Sequence, residues 1–423
     1  MLPTRDQKIN ECMKKAILLA ILLATFLNLA LTAQRLDMEF GRSHKRIDIP
    51  FNYVNGFIIV NVTFNDFLPL QFIFDTGAEY TILSKREITD MLRIDYQRRL
   101  PIMGADLSTE LYAYLVHGIN LQLGDIKAVN RSILVLEEDY FHFEEYTGVS
   151  VQGILGSDFF RRFIVKIDYR KGAISLYDPQ YFTPPDRGFS ELPIEVERGK
   201  PFLRAAVHFH PDTAIQVRLL MDTGAGLALL LHTDTHPGLK LPERVIPSNL
   251  GAGLGGFLQG YMGRIQKLDA GPFTFNEVTA QFQKLPEGLD TARLSFNRNG
   301  IIGNEVLGRF TLIIDYINAR AYVEPNRFFK DKFTHDRSGL LIAAGGVQLN
   351  EFIIYGVVPG SPAYQAGLRL GDQMLSINGL PASFLTLASI SRKLRKREGK
   401  RINLRIERGD TRLRFSFRLR ELI

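Results

Sequence analysis

Two aspartates head near-identical pentapeptides in this chain. Phe74-Asp75-Thr76-Gly77-Ala78 recurs as Met221-Asp222-Thr223-Gly224-Ala225, a shift of 147 residues. Two carboxylates held a few Å apart cannot both ionise, so they share one proton and one pKa rises. The ionised member can take a proton from a water that attacks a peptide carbonyl. The protonated member can donate to the carbonyl oxygen and then to the leaving nitrogen. These roles belong to the pair, and the spacing assigns neither to Asp75 or Asp222 alone. The neighbours suit the task. Gly77 and Gly224 permit the tight turn that brings the loops together. Thr76 and Thr223 can hydrogen-bond across the two loops. The apolar residues before each aspartate, Ile73-Phe74 and Leu220-Met221, place the carboxylate at the end of a core strand.

The 147-residue shift is not confined to that tripeptide. Gly153-Ile154-Leu155-Gly156 recurs as Gly300-Ile301-Ile302-Gly303, and Ile167-Asp168-Tyr169 as Ile314-Asp315-Tyr316. Gly104-Ala105 returns as Gly251-Ala252 and Tyr114 as Tyr261. A lone Asp-Thr-Gly arises by chance in roughly one chain in ten of this length. Several markers in one register mean a duplicated unit.

The elements that must position the loops read as β. Residues 57–64 and 68–74 are short apolar runs, and 163–169 and 173–177 flank Lys171-Gly172, a hairpin signal. In the second unit 312–316 and 321–323 flank Asn318-Ala319 in the same way. Short helices are expected at 157–163 and 304–310. With no strand–helix alternation, each unit is expected to be a small, mostly antiparallel barrel-like lobe. The expected domains are 34–185 and 186–330 for the two lobes and 338–423 for a third module, with Pro184-Pro185 and the polar 325–338 stretch as boundaries.

On these residues the chain resembles the retropepsin-like aspartic proteases. Ala78 and Ala225 after each glycine follow that family's habit, and Ile154-Leu155-Gly156 and Ile301-Ile302-Gly303 match its second signature, which packs behind each aspartate loop. The resemblance covers residues 50–325. It implies a bilobal, mostly β peptidase that, having both aspartates in one chain, is complete as a monomer. It also implies hairpin flaps over the cleft, near residues 100–121 and 249–268; the latter holds six glycines, a density that suits a mobile lid.

The C-terminal module resembles a PDZ domain of the kind attached to bacterial envelope proteases. Val357-Val358-Pro359-Gly360-Ser361-Pro362-Ala363, Ala366-Gly367-Leu368, Gly371-Asp372 and Ile377-Asn378-Gly379 carry the likeness. A helix near 386–397 and strands near 401–407 and 412–419 complete it. The resemblance implies a peptide groove begun by Gly339-Leu340-Leu341-Ile342, in which Leu341 stands where glycine is usual. Such a module would recruit substrate or restrain its own protease domain.

Several readings are set aside on context. Gly251, Gly253 and Gly256 satisfy a dinucleotide fingerprint but have no βαβ unit around them, so no cofactor is expected. His232 and His236 stand at i, i+4 without a third ligand, so no metal is expected.

The chain has 423 residues, 45% hydrophobic and 23% charged, enough for more than one packed core. Its net charge of +7 is concentrated at one end, where residues 392–421 hold 13 Lys/Arg against 4 Asp/Glu. No nucleic-acid module surrounds that run, so it reads as a solvated basic face that could favour acidic peptides. Arg5, Lys8, Lys14 and Lys15 precede an apolar run over 16–33. Residues 1–33 therefore read as a signal peptide or an uncleaved anchor, with the remainder exported. The only cysteine, Cys12, lies before that run, so the exported part has no disulfide and a bacterial periplasm or envelope suits it. Two functions follow: an endopeptidase acting on exported proteins or peptides, and an inert envelope scaffold that binds peptides through the third module and a bilobal cleft.

Overall fold

The computed structural model describes residues 38–40, 45–104, 109–253, 256–285 and 297–423. The apolar 16–33 run and residues 105–108 and 254–255 of the expected flaps lie outside the described residues. No described helix is long and apolar enough to cross a membrane.

The molecule is mostly β. In each lobe the strand that ends at the aspartate is a core strand for a reason visible in its composition. Leu68–Phe74 and Thr213–Met221 end in runs of apolar residues that are buried on both faces. Each is flanked on one side by an antiparallel neighbour, Phe57–Phe64 or Lys200–His210. On the other side lies a short parallel strand, Gly153–Leu155 or Gly300–Ile302. The pairings repeat at 147: Gly153 opposes Phe72 as Gly300 opposes Leu219.

The lobes join in one antiparallel sheet. Its order is Arg46–Pro50, Ala173–Tyr177, Ile164–Asp168, Phe310–Asp315, Arg320–Pro325 and Ser190–Glu197. At the centre Ile164 pairs with Asp315 and Asp168 with Thr311, while Lys166 faces Ile313. Residues 166 and 313 are themselves 147 apart, so a pseudo-two-fold axis runs through that pair. Symmetry of this kind lets one strand pair with its own repeat, as an isologous dimer interface does. Asp168 and Asp315 hold the hairpin turns: Asp168 Oδ1 accepts from the amides of Arg170 and Lys171, and Asp315 Oδ1 from those of Ile317 and Asn318. The repeated Ile-Asp-Tyr is thus turn chemistry.

The helices after the two glycine signatures are shorter than the sequence suggests, Ser157–Phe160 and Asn304–Leu307. Phe163 and Phe310 are drawn into the core, and the chain turns there into the central sheet.

Residues 340–418 form a separate six-stranded sheet with its own apolar core and the helix Leu387–Leu394. That helix is shorter than the expected 386–397. Thr386 caps it reciprocally with Ser389, and it stops before the Arg397–Lys400 turn.

Candidate active site

The two aspartates leave the ends of their strands in matched fashion. The Asp75 amide donates to the Leu155 carbonyl at 3.1 Å, and the Asp222 amide to the Ile302 carbonyl at 3.0 Å. Thr76 and Thr223 lie between them with no exposure. The Thr76 amide donates to Thr223 Oγ1 and the Thr223 amide to Thr76 Oγ1, both at 3.0 Å. Each hydroxyl passes its own proton across the axis, Thr76 to the Met221 carbonyl (2.7 Å) and Thr223 to the Phe74 carbonyl (2.8 Å). Four bonds therefore tie one loop to the other, with both amides and both hydroxyls of the pair bonded at a buried interface.

The carboxyls are anchored by their own turns. Asp75 Oδ1 accepts from the amides of Gly77 (2.6 Å) and Ala78 (3.2 Å), and Asp222 Oδ1 from that of Gly224 (2.8 Å). A Cβ on Gly77 would lie 2.6 Å from Asp222 Oδ2, and one on Gly224 2.3 Å from Asp75 Oδ2. Each glycine thus leaves the room that the opposite carboxylate fills. Burial pushes Asp75 well above the ordinary carboxyl range, and the neighbouring Asp222 adds to it. Burial also raises Asp222, while its bond from Asp75 and the positive charges of Arg298 and Lys200 pull it back. Carboxyls so placed favour one shared proton, and the cations on the Asp222 side favour ionisation there.

The second glycine signatures act as backing. A Cβ on Gly156 would meet the Tyr80 carbonyl at 2.4 Å, and one on Gly303 the Leu227 carbonyl at 2.5 Å. Their neighbours Leu155 and Ile302 are buried, and Ile154 packs against Ile73 and Ile82 in a cluster beneath the Asp75 loop. Ile301 pairs with Leu220 and Leu230 and stays half-buried. Ala78 and Ala225 present their carbonyls to the amides of Ser157 and Asn304, both at 2.9 Å.

Asn304 is a site residue that the repeat pattern did not single out. Its Nδ2 donates to the carbonyls of Gly56 (2.7 Å) and Thr223 (2.6 Å), and its Oδ1 accepts from the Tyr169 hydroxyl (2.7 Å). It therefore stitches the lobe-one hairpin to the lobe-two aspartate loop. The signal was available, since Ser157 holds the corresponding polar position after Gly156. Lys200 and Arg298 were also missed; neither has a basic counterpart at Tyr53 or Val151.

The remaining predicted residues lie elsewhere. The flap segments are hairpins, Arg98–Met103 with Glu110–Leu123 and Ile246–Gly253 with Gly256–Ala270. His232 is buried and pushed down to about 3 by that burial, while His236 accepts from the Gly238 amide. Among the described residues no three His, Cys, Asp or Glu side chains are grouped to hold a metal. Gly339 turns with φ +79° against Ser361, and Leu340 and Ile342 pack on the C-terminal core. Leu341 instead lines a crevice with Pro247 and Ser248 of lobe two.

Residues 60–159 match the family model described as aspartyl protease, and residues 353–408 one described as PDZ domain. No curated protein matches the sequence. Among solved structures, an aspartic proteinase from Irpex lacteus is 14% identical, with a TM-score of 0.41, over 68% of this chain and 99% of that one. Basic 7S globulin from soybean is 11% identical, with a TM-score of 0.42, over 67% and 95%. A retropepsin-like aspartic protease from Rickettsia conorii is 21% identical, with a TM-score of 0.23, over 33% and 93%. With the first unit matched to the aspartyl proteases and the second repeating its strand pairings in the same register, the chain carries a retropepsin-like aspartic protease domain followed by a C-terminal PDZ domain.

Proposed function

We propose that this chain is an aspartic endopeptidase that cleaves exported proteins or peptides, using a water activated by Asp75 and Asp222. The observation that carries this reading is the reciprocal bonding of the buried Thr76 and Thr223, which holds two half-buried carboxylates side by side with raised proton affinity. A decayed site would have no need of so constrained a pair. In the reaction the ionised carboxylate takes a proton from water as the oxygen attacks the scissile carbonyl. The protonated carboxyl donates to the carbonyl oxygen. Collapse of the tetrahedral intermediate then returns a proton to the leaving nitrogen, and the dyad regains its single shared proton. Export rests on the basic and apolar leader, and a role for the PDZ domain in recruiting substrate rests on its edge strand.

The test is digestion of a diverse peptide library by the wild type and by Asp75→Asn and Asp222→Asn, from acidic to neutral pH. Loss of cleavage on the order of 10³-fold in each single variant is the expected result. A folded wild type that cuts nothing at any pH would move the function to peptide binding without hydrolysis.

A further inference from the structure

The PDZ sheet ends in the strand Leu340–Gly345, which among the described residues is paired on one side alone, with Glu351–Val357. The helix Leu387–Leu394 runs beside its other edge. A peptide that adds a strand to such a domain lies between that edge and that helix. Here the place is taken by lobe one. The short helix Phe143–Thr147 packs on both the 340–345 strand and the 387–394 helix. The Tyr146 ring meets that of Tyr355 edge-on, with centroids 5.6 Å apart. Gly148, which ends the helix in the left-handed region at φ +67°, sits between the two walls: a Cβ there would lie 3.0 Å from Leu387 Cβ and 3.9 Å from Ala344 Cβ.

The other face of this helix belongs to the active-site lobe. Phe143 stacks on Phe141 with centroids 4.5 Å apart and meets Phe57 edge-on at 6.2 Å. These rings share a cluster with Ile73, two residues before Asp75, and with Ile154 of the second signature; Ala113 and Ile102 bring in both strands of the flap hairpin. The Thr147 carbonyl accepts from Asn55 Nδ2 at 2.6 Å. The domain is also latched to lobe two, by Arg395 to Glu305 at 2.9 Å and Glu421 to Arg264 at 3.1 Å. The domain therefore has contacts with the protease apart from this helix.

We propose that the Phe143–Thr147 helix is the resident occupant of the PDZ groove, and that an extended peptide with an aromatic or aliphatic side chain binds there only by displacing it. Groove occupancy and the packing behind Asp75 are then one equilibrium. A groove that is free a tenth of the time binds ten times more weakly than its intrinsic affinity.

The test uses the full chain carrying Cys12→Ser and reads exchange and binding, so it does not depend on peptidase activity. Amide hydrogen exchange over 340–345 should quicken about tenfold in Tyr146→Ala and remain unchanged in Tyr146→Phe. A fluorescein-labelled pool of heptapeptides with aromatic or aliphatic last residues should bind Tyr146→Ala about tenfold more tightly than the parent. A second variant, Gly148→Cys with Leu387→Cys, places its two Cβ atoms near disulfide distance. Oxidised, it should lose the pool, and reduction should restore it. Unchanged exchange in Tyr146→Ala, equal binding by the parent, Tyr146→Ala and the oxidised chain, or no binding by any of them would each overturn the proposal.

Discussion

The two lobes share a backbone plan but not surroundings. Their aspartate strands, glycine signatures and threonine bonds superpose at a shift of 147, and symmetry alone is enough to bring two carboxylates together. What differs lies one layer out. The loop around Asp75 gives it two amide bonds, from Gly77 and Ala78, and the buried Tyr316 ring lies on its side. Asp222 has one amide bond, and Lys200 and Arg298 stand near it. Where lobe one has Ser157, lobe two has Asn304 with three side-chain bonds, two of which reach into lobe one. Duplication supplies a pair of acids, and divergence around it decides where the proton rests.

Breaking the symmetric part should have the largest effect. Thr76→Val and Thr223→Val each remove a hydroxyl and leave the opposite buried amide unpaired, at a cost of about 1–3 kcal/mol. Denaturant midpoints should fall by equal amounts for the two. The double variant should lose less than the sum, because both changes dismantle one network. Unequal single losses would show that the lobes do not share the load.

The acid pair offers a pH test. Both carboxyls have folded pKa values raised above the ordinary 3.8, so the native state holds more protons than the unfolded one. Stability is then fully present below that ordinary value and declines as pH rises toward the raised ones. Asp75→Asn and Asp222→Asn each remove one member of the repulsive pair. Both should melt with the wild type near pH 3.5 and several degrees above it at pH 7. A melting temperature that falls in the variants at pH 7 would contradict the raised values.

Making the lobes more alike sharpens the comparison. Asn304→Ser copies lobe one and forfeits the bonds to Gly56, Thr223 and Tyr169, costing about 1–2 kcal/mol. The reverse change, Ser157→Asn, has no equivalent partners and should gain nothing in the same melts. The smallest effect is electrostatic. Lys200→Met removes a positive charge that favours ionised Asp222. The acid limb of the activity profile should move to higher pH by less than about one unit. A shift in the opposite direction would reverse the assignment of the ionised carboxylate.

Much of the site was legible because it is local and repeated. Gly77 and Gly224, Gly156 and Gly303 stand where a Cβ would strike the opposite carboxylate or a crossing carbonyl, and such constraints mark a sequence at every copy. The threonines were legible for the same reason. Asn304 and Lys200 were less so: the bonds of Asn304 cross the lobe boundary, and Lys200 has no basic counterpart at the repeat distance. The lengths of the short helices were missed because periodicity extends a helix through Phe163 and Phe310, which the core claims for itself.

The sequence by itself determined that there are two aspartate loops, that they are copies, and that a third module with a peptide-binding pattern follows. Those facts rest on residue types at set spacings, and neighbours along the chain enforce them. Only the tertiary structure decided that one sheet runs through both lobes and that Leu341 faces lobe two. It alone seated the Phe143–Thr147 helix in the groove of the last domain. Contacts between segments some 200 residues apart depend on surfaces that exist only after each domain has folded. A five-residue helix ending in glycine carries no sign of which surface it will meet.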